Sequence, residues 1–180
     1  MYRIIGVFGD NNHGIKDQQL VKVIKNTSIG AIKWNTTESN DWASASLNTT
    51  LNSTFKTEKL SGFEDKIASV TWRVSEYNAS DSTAKTAYTA EITNATKTYG
   101  PENGTSKIGL MYVSDYGFAA APSAWAFQLY YYENSSITPV NWMYMGLSDW
   151  TITPYSSNSY DVFNACLLYT SPSPRDGATS

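Results

Sequence analysis

The chain has 180 residues, 41% hydrophobic and 16% charged, with a net charge of −3 and a single cysteine, Cys166. That length suits one domain with one sizeable core. No apolar run approaches the ~20 residues that a membrane-spanning helix needs, and no basic patch offers a surface for nucleic acid.

Residues 166–180 stand apart from the rest. Cys166 to Asp176 reads as a transposase-type sequencing adaptor translated in one frame, so this stretch is set aside before any fold is considered. Composition changes at the same place: residues 1–165 hold ten lysines against only Arg3 and Arg73, with abundant Asn, Ile and Tyr, whereas the tail is Pro, Ser, Arg and Gly. Met1 runs directly into the apolar stretch Tyr2–Phe8 with no basic-then-apolar leader, and it is read as an internal methionine. The expected organisation is a single domain over 1–165, truncated at both ends, followed by an adaptor-derived, disordered tail over 166–180. Without Cys166 the domain has no disulfide and no thiol nucleophile.

In chain order, Tyr2–Phe8 reads as a strand, Asp10–Gly14 as a turn cluster, and Gln19–Lys25 and Ala31–Trp34 as extended segments. Asn40 or Asp41 caps a predicted helix whose Ala43, Leu47, Leu51 and Phe55 form one apolar stripe. The run Ser61-Gly62-Phe63-Glu64 has the form of a capping box and announces a second helix with Phe63, Ile67 and Val70 on one face. Val70, Trp72 and Val74 switch to a period of two and predict a strand. A long polar excursion over 75–106 carries a weak strand or helix around Tyr88–Ile92. Ile108–Val113 predicts a buried strand, Ser114 or Asp115 the cap of a short helical turn, and Trp150–Pro154 and Tyr160–Phe163 two closing strands.

The series Tyr2–Gly6, Asp41-Trp42 through Leu51-Asn52 to Phe55, Phe63–Ile67, Ile108–Gly117 and Trp150–Pro154 resembles an uncharacterised domain of large extracellular proteins from low-GC Gram-positive bacteria, many from gut metagenomes. The likeness spans nearly all of residues 2–165 and lies in the order and spacing of these runs. It implies an α+β fold similar to C-type lectins, with mixed or antiparallel strands and two helices, and an extracellular or cell-surface location. The chain departs from that pattern at both ends, where the closing strand and its glycine turn are missing. It also lacks cysteines that some relatives carry between Tyr116 and Trp142.

Catalytic constellations are not evident. His13, the sole histidine, sits in a Gly/Asn turn and is read as a surface turn residue. One histidine and no cysteine in the domain leave no Cys/His zinc site, and no short-spaced glycine loop cradles a nucleotide, so neither metal nor cofactor is expected. Asp115, Glu133, Asp149 and Asp161 could supply a carboxylate pair for hydrolysis if two of them converged within roughly 5–9.5 Å; otherwise Asp115 is a helix cap and the others solvated loop residues. Eight Asn-x-Ser/Thr triplets begin at Asn26, Asn35, Asn48, Asn52, Asn78, Asn94, Asn103 and Asn134. About three would arise by chance, and the excess is attributed to clustered Asn, Ser and Thr usage rather than to glycosylation.

The feature that leans toward function is aromatic. Trp125, Tyr130, Tyr131, Tyr132, Trp142 and Tyr155 lie among Ser, Asn and Thr, a composition suited to a binding face because Tyr and Trp give rigid contact area at low entropic cost. The competing reading puts Trp142, Trp150 and Tyr112 in the core and lets Tyr130–Tyr132 straddle a strand. The leading expectation is a noncatalytic, ligand-binding module of a bacterial surface or secreted protein, its partner a glycan or a protein. The alternatives are a structural spacer domain and a carboxylate-pair hydrolase.

Overall fold

The computed structural model describes residues 1–37, 39–79, 81–103, 107–133, 141–144, 149–154 and 162–164. The adaptor-like tail, Tyr155, Tyr160 and Asp161 lie outside the described residues. The architecture is α+β, with short helices interleaved among three two-stranded antiparallel sheets.

Strands β1 (Tyr2–Phe8) and β2 (Leu20–Lys25) form the first sheet, with a bulge between Ile4 and Gly6. Between them Asp10–His13 closes a single helical turn, α1, which ends at Gly14 in the left-handed conformation at φ 78°. This is the expected turn cluster, but His13 is buried rather than on the surface. Its Nδ1 accepts the Ile15 amide and its Nε2 bonds to the Phe8 carbonyl, so the ring staples the hairpin that contains it.

Asp41 accepts the Ser44 amide and starts a 3-10 turn, Trp42–Ser44. The helix then runs as α2 (Ser46–Thr50), a π segment (Leu51–Phe55) and α3 (Lys56–Lys59). Of the predicted stripe, Leu47 and Leu51 are buried and Phe55 half-buried, whereas Ala43 faces solvent. The second predicted helix does not form. Leu60–Phe63 closes a turn with Gly62 at φ 80°, only a 3-10 turn follows (Glu64–Lys66), and Phe63 is 65% exposed. A left-handed residue between Ser61 and Phe63 breaks the helical path that a capping box requires.

β3 (Trp72–Val74) pairs with β4 (Lys97–Tyr99). The polar excursion between them is ordered around α4 (Ala84–Tyr88), which Thr83 and Thr86 cap reciprocally and which passes into a second π segment, Thr89–Thr93. The predicted strand at Ile108–Val113 is replaced by an extended run whose described pairing is one parallel bridge, Met111 to Thr151. Helix α5 (Val113–Phe118) starts directly after it. β5 (Trp150–Pro154) and β6 (Val162–Asn164) form the third sheet.

The buried apolar residues fall into two clusters. One gathers Ala87, Val113, Tyr116, Leu129, Tyr132 and Met143; the other gathers Trp34, Trp42, Leu47, Leu51, Val74, Ile92, Tyr112 and Ile152. Trp34 and Trp42 meet edge to face at 5.3 Å. Tyr112 and Val113 are adjacent in sequence but belong to different clusters, so the start of α5 joins the two.

Candidate functional site

The junction between the clusters is the most polar part of the interior. Ala84, Ala87 and Glu91 recur at helical spacing and are all fully buried. Glu91 is therefore a carboxylate on an apolar stripe. Its Oε1 accepts from the Tyr77 hydroxyl (2.9 Å), the Val113 amide (3.0 Å) and the Thr153 hydroxyl (2.6 Å), while Oε2 accepts the Ser114 amide at 3.1 Å. Burial pushes its pKa up, opposed by the hydrogen bonds from Ser114, Thr153 and Tyr77. Burial beside Glu91 likewise pushes the Tyr77 hydroxyl well up.

Asp115, one turn into α5, turns back to accept the Tyr112 amide at 2.9 Å and pairs with Lys22 Nζ at 2.5 Å. The Lys22 ammonium lies 4.4 Å from the Tyr112 ring centroid, with the Phe8 and Trp72 rings at 5.7 and 5.8 Å. A cation enclosed by ring faces and a carboxylate is well compensated for its lost hydration. The bonds of Glu91 to Val113, Ser114 and Thr153 and of Asp115 to Lys22 hold α5 against the π segment, β5 and β2, and the Asp115 bond to the Tyr112 amide caps α5. Asp115 is thus the helix cap the sequence suggested, and it is committed to that role. Among the candidate hydrolytic acids, Asp149 lies at the groove described below, and the side chains of Glu133 and Asp161 are outside the described set.

The expected aromatic face is only partly assembled. Tyr130 and Tyr131 are 50% and 45% exposed with ring centroids 4.1 Å apart. Trp125 is partly exposed, but its ring packs edge to face on Phe118 and its Nε1 donates to the Ala120 carbonyl. Tyr132 is buried, its hydroxyl shared between the carbonyls of Gly117 and Ala124 at 3.2 Å each. It is a core residue, because two carbonyls inside the first cluster supply the acceptors that a buried phenol needs. Trp142, expected as ligand contact or as core, is 38% exposed with the Arg3 guanidinium 5.6 Å above its ring. Tyr112 is buried as the core reading had it, and Trp150 is half-buried.

A large concave feature lies elsewhere. A groove of about 1060 Å³ is lined by Val23–Lys25 of β2 and the following loop from Asn26 to Ile32, by Leu47, Leu51, Phe55 and Phe63, by Lys107–Met111, and by Trp142 and Trp150. Its shape depends on Asn52, whose side chain accepts the Ile108 amide at 3.0 Å and donates to the Ile108 carbonyl at 2.8 Å. That clamp holds the extended run beside the π segment. Four lysines line the groove (Lys25, Lys59, Lys66 and Lys107) against one acid among the described residues, Asp149, whose pKa burial raises. Of the five sequence-derived site residues that lie among the described residues, Trp142 alone lines it.

Three of the Asn-x-Ser/Thr asparagines have structurally engaged side chains. Asn35, Asn48 and Asn52 donate their amide nitrogens to the Ser39 carbonyl, the Trp42 carbonyl and the Ile108 carbonyl respectively, and Asn35 and Asn48 are buried. Among the described residues no group of three His, Cys, Asp or Glu side chains converges as a metal site, and no helix is long and apolar enough to cross a membrane. Comparison with family models, with curated proteins and with solved structures finds no match.

Proposed function

We propose that the chain is a noncatalytic binding module of a bacterial cell-surface or secreted protein, C-type-lectin-like in fold, and that it takes an apolar portion of a protein ligand in the groove. The observation that carries this reading is the groove itself. Its volume is at the upper end of the usual range for ligand sites, and its lining is largely aliphatic and aromatic with charged groups at few points, as such sites require. Glu91 and Asp115 support it from the other side, since both are engaged in structural hydrogen bonds. The surface location and the fold family rest on the order and spacing of the runs from Tyr2 to Pro154.

The dye ANS tests the groove directly. Saturable fluorescence enhancement by the wild type, lost in Phe63→Asp, is expected; Phe63 is exposed, so the variant keeps its fold. An array of surface proteins probed with the wild type should then give hits that ANS displaces. Turnover of any substrate, or ANS binding indifferent to Phe63→Asp, overturns the reading. A glycan is the second reading, favoured by the exposed Tyr130 and Tyr131 rings, whose faces can stack on sugars. It predicts glycan-array binding that Tyr130→Ala abolishes and Phe63→Asp leaves intact.

A further inference from the structure

The groove holds a second clue, in the backbone rather than in the side chains. Gly109 and Leu110 are half-buried on the groove wall, and neither makes a backbone hydrogen bond among the described residues, although their neighbours do: Ile108 to Asn52 and Met111 to Ile152. Unpaired amide and carbonyl groups along an extended edge are the template on which a further strand adds. Gly109 also has to be glycine, because a Cβ there would sit 2.7 Å from the Trp72 ring; the backbone of this edge therefore lies directly against the aromatic core.

Charge narrows the occupant. Lys59 and Lys66 are exposed and make no ion pair among the described residues, and Lys25 and Lys107 satisfy their ammonium groups on neutral oxygens. The rim of an apolar groove is thus cationic. Resting on the reading that the groove is a binding site, we infer that its ligand is an extended peptide segment that alternates apolar and acidic residues and pairs with the backbone of Leu110, since successive strand residues turn their amides to opposite edges and Gly109 is in step with Met111, which faces β5. Alternation follows from strand geometry: successive side chains point to opposite faces, so one set enters the aliphatic lining while the other meets the lysines.

The test uses a fluorescein-labelled eight-residue peptide that alternates valine with glutamate, its lysine-for-glutamate counterpart, and oleate. Fluorescence polarisation should show binding of the acidic peptide and none of the basic one. Lys59→Glu/Lys66→Glu should weaken the acidic peptide about tenfold, and added salt should weaken it as well. Amide hydrogen exchange at Leu110 should slow when that peptide binds, an effect that adsorption of an apolar chain alone would not give. If oleate displaces ANS and the peptide does not, the groove is a site for anionic amphiphiles; the peptide proposal falls and the binding-module reading stands. Equal binding of both peptides, or no slowing of exchange at Leu110, also overturns the proposal. If neither peptide nor oleate displaces ANS, and Phe63→Asp leaves ANS binding unchanged, the binding-module reading fails with it.

Discussion

Glu91 shows how one side chain can define a junction. Four donors converge on its carboxylate from Tyr77, the first two residues of α5 and Thr153, and a glutamine can match only one acceptor oxygen. In Glu91→Gln the amide nitrogen that replaces Oε2 would face the Ser114 amide, donor against donor. A loss of about 2–4 kcal/mol is expected by denaturant titration, the usual scale for breaking a buried charged network. The pH dependence has a definite sign. Burial raises the Glu91 pKa, so between its unfolded value and the raised folded one the folded chain holds a proton that the unfolded chain has released. Stability contributed by this group is greatest below that window and falls as pH rises through it. The melting-temperature gap between wild type and Glu91→Gln should therefore narrow as pH rises above the ordinary carboxylate range, about pH 4, and through the raised folded pKa. A gap that widens would mean that the four hydrogen bonds outweigh burial.

Short elements in this chain are set by tertiary contact as much as by local pattern, and that decides which were legible. Tyr2–Phe8, Trp72–Val74 and Trp150–Pro154 were readable as strands from apolar or period-two runs, and the Leu47–Leu51 stripe was readable as helix. Ile108–Val113 has the composition of a buried strand, yet Asn52 satisfies Ile108 from a distant helix and α5 claims Val113, so no ladder forms there. The helix at Ala84–Tyr88 was obscured by a polar setting of Thr and Ala in which the Thr83–Thr86 reciprocal cap lacks the usual acidic partner. Its tight fit against α5 depends on Gly117. A Cβ there would lie 2.8 Å from the Ala84 Cβ, 2.9 Å from Leu129 Cδ2 and 3.1 Å from the Ala84 Cα, and the backbone atom cannot swing aside. Gly117→Ala should force α4 and α5 apart at a cost of about 1–3 kcal/mol, read as a lower denaturation midpoint with an unchanged slope. An unaffected midpoint would show that the helices can separate freely.

At the scale of the whole molecule, the groove was not legible because its lining comes from segments as distant as Val23 and Trp150, each of which reads locally as ordinary core or loop. The aromatic-rich stretch was visible in sequence, but composition could not distinguish the buried Tyr132 from the exposed Tyr130 and Tyr131. Glu91 left a faint trace, a carboxylate in register with Ala84 and Ala87 on one helical face. That same residue lies where the two clusters meet. Ala87 and Val113 belong to one cluster, and Ile92 and Tyr112 to the other, so the Glu91 hydrogen bonds to Val113 and Ser114 lie on the seam between them. If the seam transmits stability, the wild type should unfold in a single transition, with coincident curves from helical circular dichroism and from tryptophan fluorescence. Fluorescence weights the second cluster, where Trp34 and Trp42 are buried. Glu91→Leu removes the acceptors for both α5 amides while keeping the side chain apolar, and it should pull the two curves apart as the clusters lose their shared support. Curves that shift together in the variant would show that packing alone couples the clusters, leaving the carboxylate to stabilise α5 without joining the two halves of the core.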